Sequence, residues 1–490
     1  MKMRPIMFVG TGSDVGKSII TAGFCRILLQ DGYRPAPFKA QNMSLNSFAT
    51  KDGLEIGRAQ AVQAEACSIE CDTRMNPVLL KPTSLTGSQV ILHGKPIGNQ
   101  SAKEYFLGNN KENLFGEAKI AFDALEKEYF PVVMEGAGSI SELNLKHRDI
   151  VNLRMAAHAN ACVYLVADID KGGVFGSVYG TIALLEEWER ALIKGIIINK
   201  FRGDISLFDS GRTKLEELTG IPVVGVVPYA KDIYIEEEDS VALNTKKVSA
   251  GSFSNKISIA VILLPHLSNY TDFNLLERDE RVNLYYTKDP LEIAKAAIVI
   301  LPGTKNTLSD LHFLRKEGLA QAILNSYENG NKVIGICGGY QMMGELVEDP
   351  YEVESSFTVL PGLGLLPIKT IMTKEKVTVQ REFLFKENKA VCKGYEIHMG
   401  ESKTVESAPL LHTIDGKPEG YLLNNNCWGT YVHGILDNQL VIDDLLGSFS
   451  IKRVETYQEF KEKNFDALAT ILRASLDIEY MYSQSNLNND

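Results

Sequence analysis

Two short stretches of this chain carry residues whose types and order suit group-transfer chemistry. The first, Gly10-Thr11-Gly12-Ser13-Asp14-Val15-Gly16-Lys17-Ser18, follows the apolar run Ile6 to Val9 and precedes a helical pattern over Ile19 to Leu29. A glycine-rich turn between strand and helix lets backbone N–H groups wrap phosphates, and Gly12 and Gly16 leave the backbone free to approach them. Lys17 would neutralise the β- and γ-phosphate oxygens of ATP, and Ser18 would ligate Mg²⁺ at the helix N-terminus. The second stretch, Val333-Ile334-Gly335-Ile336-Cys337-Gly338-Gly339-Tyr340-Gln341, reads as a strand, a tight turn and a helix with the cysteine at the bend. Small neighbours permit a strained turn that presents the sulfur, and the helix N-terminus behind it favours the thiolate.

A thiol nucleophile needs a partner that handles protons, and Gly429-Thr430-Tyr431-Val432-His433-Gly434 offers His433 at the end of a strand-like run. Leu301-Pro302-Gly303-Thr304 closes another apparent strand, so the backbone N–H groups of Gly303 and Gly338 are candidates to stabilise a tetrahedral oxyanion. His398, in a polar, glycine-flanked strand, suits substrate contact and structural hydrogen bonding equally. In the first half, Glu135 ends the run Val132-Val133-Met134, where a carboxylate would hold Mg²⁺ or position an attacking group. Asn199 stands at another strand end, where its amide would read the adenine edge, and Pro228 after the next strand would lie against the ring.

These residues work only if the strands beneath them share one edge of a sheet. Apolar runs at Ile6 to Val9, Pro131 to Met134, Cys162 to Ala167, Gly195 to Ile198 and Pro222 to Val227 alternate with helical segments, as in a buried parallel sheet. A second series follows at Ile257 to Leu264, Val282 to Tyr286, Ala297 to Leu301 and Lys332 to Ile336. Between them the run Glu236-Glu237-Glu238-Asp239 and a Ser/Asn/Lys-rich stretch lack apolar periodicity and read as a solvated linker. The expected organisation is an α/β nucleotide domain over 1–230, a linker over 231–256, a second α/β domain over 257–445, and a helical extension over 446–490. In that extension Phe465 to Leu476 carries apolar residues at helical spacing.

At 490 residues the chain is long enough for two or three cores. A net charge of -11 disfavours nucleic acid and anionic membrane as general partners. Seven scattered cysteines without a CxxC pair suggest neither a disulfide framework nor a zinc site. No uncharged apolar stretch reaches the ~20 residues of a membrane span, and the N-terminus lacks a signal-peptide pattern, so the cytoplasm is the expected compartment.

The phosphate loop, with threonine at position 11, resembles the dethiobiotin-synthetase-like branch of P-loop proteins. The cysteine elbow, the Pro-Gly loop and the later histidine together resemble class I glutamine amidotransferases. There a glutamate ordinarily follows the histidine by two residues, whereas this chain has Ile435. That combination is similar to the cobyrinic/cobyric acid synthase family, and Phe38-Lys39-Ala40-Gln41-Asn42-Met43-Ser44-Leu45-Asn46-Ser47, Glu55-Ile56-Gly57-Arg58-Ala59-Gln60, Asn76-Pro77-Val78-Leu79-Leu80-Lys81-Pro82 and Asp168-Ile169-Asp170-Lys171-Gly172-Gly173 resemble its cobyric acid branch.

The resemblance implies ATP- and Mg²⁺-dependent amidation of the b, d, e and g carboxylates of adenosylcobyrinic acid a,c-diamide. L-glutamine is the ammonia donor, an acyl phosphate is the activated intermediate, and no tightly bound cofactor is needed. It favours the Mg²⁺ role for Glu135 and implies a phosphate or carboxylate contact for Lys39. It also assigns corrinoid contacts to the polar patch Gln41, Asn42, Ser44 and Asn46, with Asp149 on an opposite wall. Cys337 and His433 are then expected to act as a dyad. Amidation at the a and c carboxylates is the nearest alternative, disfavoured by Ala-Gln-Asn-Met after Lys39. A partitioning-type ATPase switch is the remote one, and it leaves Cys337 and His433 without a task.

Overall fold

The computed structural model describes residues 3–83, 87–107, 110–230, 233–236, 249, 256–355, 357–447 and 457–486. In the first half, β1 (Ile6–Gly10), β2 (Ala36–Phe38), β3 (Val132–Glu135), β4 (Cys162–Asp168), β5 (Ile193–Phe201) and β6 (Val223–Pro228) form one sheet in the order β6-β5-β4-β1-β3-β2. All of its pairings are parallel, and its central strands are buried on both faces, which is why they read as unbroken apolar runs. Gly10, Glu135, Asp168 and Asn199 therefore arrive at the same carboxyl edge, where open α/β sheets bind ligands. The helix α1 (Lys17–Gln30) starts directly behind the phosphate loop.

Between β2 and β3 the chain builds something the apolar runs did not announce. Gln41–Met43, Val78–Pro82, Gly87–Leu92 and Lys95–Ser101 make a small four-stranded sheet, and Ser47–Ala49 pairs with Glu55–Gly57 in a hairpin. The hairpin runs straight into helix α2 (Arg58–Ala66). These strands are short and rich in polar residues, so they carry little of the hydrophobic periodicity that reveals a strand.

The second domain holds β7 (Ile257–Ile262), β8 (Val282–Thr287), β9 (Ile298–Leu301) and β10 (Lys332–Ile336), which turns into helix α3 (Gly338–Met342). A long antiparallel ribbon of β11 (Ile368–Phe385) and β12 (Val391–Thr404) intervenes before β13 (Tyr421–Asn424) and β14 (Cys427–Thr430) return to the sheet. The sheet order is β8-β7-β9-β10-β14-β13, parallel except at its last pair.

Hairpin and ribbon join the two domains. Lys376 of β11 pairs with Glu55, which also accepts from Lys81 at 2.8 Å. Asn46 accepts from the Tyr270 amide at 3.2 Å, the Ser47 amide donates to Asn269 at 3.1 Å, and Gln380 donates to the Ala49 carbonyl at 3.0 Å. Phe48 meets Tyr395 edge to face with ring centroids 4.8 Å apart.

Two expectations about the chain's path change. Glu236 is not on a solvated face: it is buried, paired with Arg58, and accepts from the Tyr457 hydroxyl at 2.8 Å. Burial would raise its pKa, but the Arg58 guanidinium holds it down to about 2. Residues 237–239 and most of the expected linker over 231–256 lie outside the described residues. The C-terminal extension, for its part, is a layer of the first domain. Helix α4 (Tyr457–Ser475) places Phe465, Leu468, Ala469 and Leu472 in one core with Ile20, Phe24 and Ile27 of α1. Its rim is held by Arg26, which pairs with Glu462 and Asp466 at 2.8 and 2.7 Å.

Leu472 is fully buried in that helix pair. Leu472→Ala should cost about 2–5 kcal/mol of folding stability through lost burial and a residual cavity. A drop in the denaturation midpoint of the nucleotide domain, read through nucleotide-protected unfolding, would register it; an unchanged midpoint would mean that α4 is not part of that domain's core.

Candidate active site

The thiol of Cys337 sits where β10 becomes α3, and its backbone is held at φ 52°, ψ -111°, a conformation that L-residues avoid. The turn is anchored by the Cys337 amide, which donates to the Thr430 carbonyl at 2.7 Å. Gly339 has to be glycine because a Cβ there would stand 2.0 Å from the Leu301 carbonyl oxygen. The elbow thus presses against the end of β9, and the next residues of that strand's loop come into reach. Gly303 lies against the imidazole, since a Cβ on it would be 2.9 Å from His433 Cε1. The Gly338 N–H opens α3 and has no acceptor within the helix. Thiol and imidazole therefore line one narrow cleft, with Gly303 packed against the imidazole and Gly338 directly after the cysteine. The hollow lined by Lys386, Asp443 and Asp444 holds no nucleophile and no histidine.

His433 is not alone: an acid holds its ring. Its Nδ1 lies 2.7 Å from Asp272 Oδ2, and the other carboxylate oxygen accepts from the Gly434 amide at 2.9 Å. The expected dyad is corrected to a Cys337–His433–Asp272 triad, whose acid comes from 161 residues upstream rather than from two residues beyond the histidine. Ile435, in the position of the ordinary glutamate, is a fully buried core residue. Asp437 is no substitute, because burial and nearby Glu236 push its carboxyl up to about 8, leaving it protonated at neutral pH. Burial would lower the His433 pKa, but Asp272 and the hydrogen-bonded Cys337 outweigh it and raise the imidazole to about 10. Tyr395 stacks on the same ring, with centroids 5.5 Å apart.

Asp272 lies in the turn Tyr270–Phe273, two residues past the contacts that Asn46 and Ser47 make with residues 269 and 270. The signal that could have located it is the largely polar stretch Ser268 to Asn274, a few residues after an apolar strand. His398 lines the cleft, stacks on Tyr431 with centroids 3.8 Å apart, and approaches Glu396 at 3.2 Å, the structural bonding its sequence context allowed.

The second centre is at the carboxyl edge of the first sheet. Glu135 accepts from Ser18 at 2.8 Å and Lys39 at 2.9 Å through one oxygen, and from Gln63 at 2.5 Å through the other. Burial alone would raise its pKa, yet Lys39 and these donors hold it below the usual carboxylate range, so it stays ionised. A serine hydroxyl beside one ionised carboxylate is a hard oxygen donor pair, which fits Mg²⁺ shared with phosphate oxygens. Lys17 donates to the carbonyls of Gly12 and Gly138 at 2.9 and 3.2 Å, tying the phosphate loop to the loop that follows Glu135. Gly16 caps α1 with its backbone in the left-handed region. Gln63 was not expected here.

Other sequence-derived positions settle differently. Asn199 does not stand open at the sheet edge: its amide donates to the Val15 carbonyl at 2.8 Å and braces the phosphate loop. Pro228 ends β6, paired with Phe201, and is partly exposed. Of the polar patch, Asn46 belongs to the domain junction, with Ser44 accepting from its amide at 2.9 Å, and Asn42 bonds Gln60 at 2.9 Å. These side chains are buried and hydrogen-bonded into the framework. Gln41 differs: its oxygen accepts from Tyr105 at 2.5 Å and from Lys111 at 2.8 Å, and Lys111 feels the charge of Asp149. Asp149 caps the backbone of Val151 and Asn152, and Asn152 in turn holds Ala137, two residues beyond Glu135. Gln41, Lys111 and Asp149 thus form one wall next to the phosphate centre.

A nucleotide-binding α/β domain joined to a thiol glutaminase domain defines a glutamine-dependent amidotransferase. Comparison with known proteins agrees: residues 6–241 match the CobQ/CobB/MinD/ParA nucleotide binding domain, and residues 258–441 match the CobB/CobQ-like glutamine amidotransferase domain. The chain is 60% identical over 486 residues to the cobyric acid synthase of Bacteroides fragilis and 59% identical over 491 residues to that of Parabacteroides distasonis. The cobyric acid synthase of Syntrophobacter fumaroxidans is 47% identical over 505 residues, and each alignment covers 98% of both chains. The chain belongs to the cobyric acid synthase family.

Asp272→Asn should lower glutamine hydrolysis by roughly 10²–10⁴-fold. A histidine whose pKa is raised keeps its proton at low pH and loses it as pH rises through about 10. Removing the carboxylate that raises it should move the alkaline limb of the hydrolysis profile to lower pH. A pH–rate series on both proteins measures this, and an unmoved limb would show that Asp272 does not set the imidazole.

Proposed function

We propose that this chain amidates the b, d, e and g carboxylates of adenosylcobyrinic acid a,c-diamide to give adenosylcobyric acid, in cobalamin biosynthesis, using ATP and ammonia drawn from L-glutamine. The observation that carries this reading is the pairing of two assembled centres in one chain, Cys337–His433–Asp272 and Ser18–Glu135–Lys39. The names of relatives that match over nearly the full length support the corrinoid as substrate.

The glutaminase half proceeds by covalent catalysis. The Cys337 thiolate attacks the side-chain amide carbon of glutamine, and the N–H groups of Gly303 and Gly338 receive the developing oxyanion. The His433 imidazolium, oriented by Asp272, protonates the departing nitrogen, and ammonia leaves a thioester on the cysteine. His433 then takes a proton from water, which hydrolyses the thioester and releases glutamate.

The nucleotide half solves a different problem, since a carboxylate is a poor electrophile. Phosphoryl transfer from ATP makes it an acyl phosphate, and ammonia then displaces phosphate to form the amide. Positioning and charge neutralisation dominate such transfers. Lys17 and the phosphate loop hold the triphosphate, Lys39 faces the transferred group, and Ser18 with Glu135 would hold Mg²⁺, which neutralises the phosphate oxygens. Gln41, Lys111 and Asp149 form the nearest polar wall for the corrinoid amides and carboxylates. A partitioning-type switch would leave the triad without a purpose.

Incubation with glutamine, ATP-Mg and the a,c-diamide should produce a ladder of four amidated species by mass spectrometry. Cys337→Ser should lose glutamine-supported amidation by roughly 10³-fold or more while ammonia still supports it. No mass change in the corrinoid with either nitrogen source would sink the assignment.

A further inference from the structure

The cleft beside Cys337 is lined by two charges of opposite sign that the reaction above does not use, one buried and one partly buried. Lys305 follows the Pro-Gly loop, and its side chain is buried against the cleft. Glu354 reaches the same cleft from the loop preceding β11, and its carboxylate accepts from the Thr307 amide at 2.9 Å, which fixes its direction. The Glu354 carbonyl is held as well, by Asn306 at 2.9 Å. The two charges sense each other electrostatically, yet among the described residues no ion pair joins them.

Such an arrangement is costly. A buried or half-buried charge without a contacting counter-ion loses hydration and recovers little of it. The effect is visible in both groups: burial pulls the Lys305 ammonium below the usual lysine range and pushes the Glu354 carboxyl above the usual glutamate range. Other charges nearby do not resolve it, because Lys81 opposes Lys305 and Glu55 is already committed to Lys81 and Lys376. A ligand bearing a carboxylate and an ammonium on one carbon would satisfy both at once.

Resting on the glutaminase reading above, we propose that Lys305 and Glu354 form the head-group subsite for the free α-amino acid, Lys305 receiving the α-carboxylate and Glu354 the α-ammonium. The side chain of glutamine then extends toward the Cys337 sulfur, with Gln341 and Thr307, joined at 2.8 Å, along the wall. Recognition of both head charges selects free glutamine over glutaminyl groups within peptides, which lack the zwitterion, and fixes how far the amide carbon reaches into the elbow.

The test uses the full chain and three nitrogen donors: L-glutamine, L-glutaminamide, which lacks the α-carboxylate, and glutaramate, which lacks the α-ammonium. Ammonia release gives kcat/KM for each. The wild-type protein should prefer L-glutamine over both analogues. Lys305→Met should shrink the preference over glutaminamide at least tenfold and leave the preference over glutaramate, and Glu354→Gln should do the reverse. Lys305→Arg should retain most of the wild-type preference. Ammonia-supported amidation, unchanged in each variant, certifies the fold; a variant that loses it is replaced by Lys305→Gln or Glu354→Asp in the same comparison. Equal losses on all three donors, or wild-type preference ratios in the variants, would overturn the subsite. Failure of the wild-type protein to hydrolyse glutamine at all would instead overturn the glutaminase reading.

Discussion

Glu55 is buried between two lysines that come from different domains, Lys81 of the small sheet and Lys376 of the long ribbon. Taking three charges out of water costs several kcal/mol per ion, and only their mutual attraction offsets it. Burial would raise the Glu55 pKa, but the two ammonium groups hold it well below the usual carboxylate range. One carboxylate cannot fully match two cations, and burial brings Lys376 down to about 7 despite Glu55. The trio is satisfied only when the domains are docked in one register. That register brings Lys81 to the wall of the cleft that contains Cys337, so the glutaminase pocket is completed by the nucleotide domain.

The same docking gives the hairpin and α2 a place in both centres. Asn46 and Ser47 grip residues 269 and 270 beside the triad's acid, and Phe48 rests on Tyr395, which stacks on His433. At the start of α2 Arg58 is locked to Glu236, and little more than a turn further on Gln63 donates to Glu135. A nine-residue helix thus spans from the neighbourhood of the imidazole to the phosphate centre. Buried hydrogen-bonded side chains along this helix thus connect the two centres physically.

Much of the chemistry was local and therefore legible. A P-loop lysine and serine, a strand-end glutamate and a cysteine at an elbow are each set by a handful of consecutive residues, because backbone geometry there is short-range. The buried parallel strands were equally legible, since short apolar runs set between turn and helix signals favour strands over helices. The small sheet and hairpin over residues 41–101 were not, because their strands are short and mix core residues such as Val78 and Val90 with polar ones that serve the domain junction.

The sequence by itself determined the two kinds of chemistry and the order of the domains that carry them. Tertiary structure alone decided who completes each centre: Asp272 for His433, Gln63 for Glu135, and Lys81 for the cleft. It also turned the acidic residue Glu236 inward and sent the last helices back onto the first domain. The reason is common to all of these. A carboxylate or lysine has no periodicity of its own, and its partner is chosen by which strands and loops meet in space, with no constraint on how many residues lie between them.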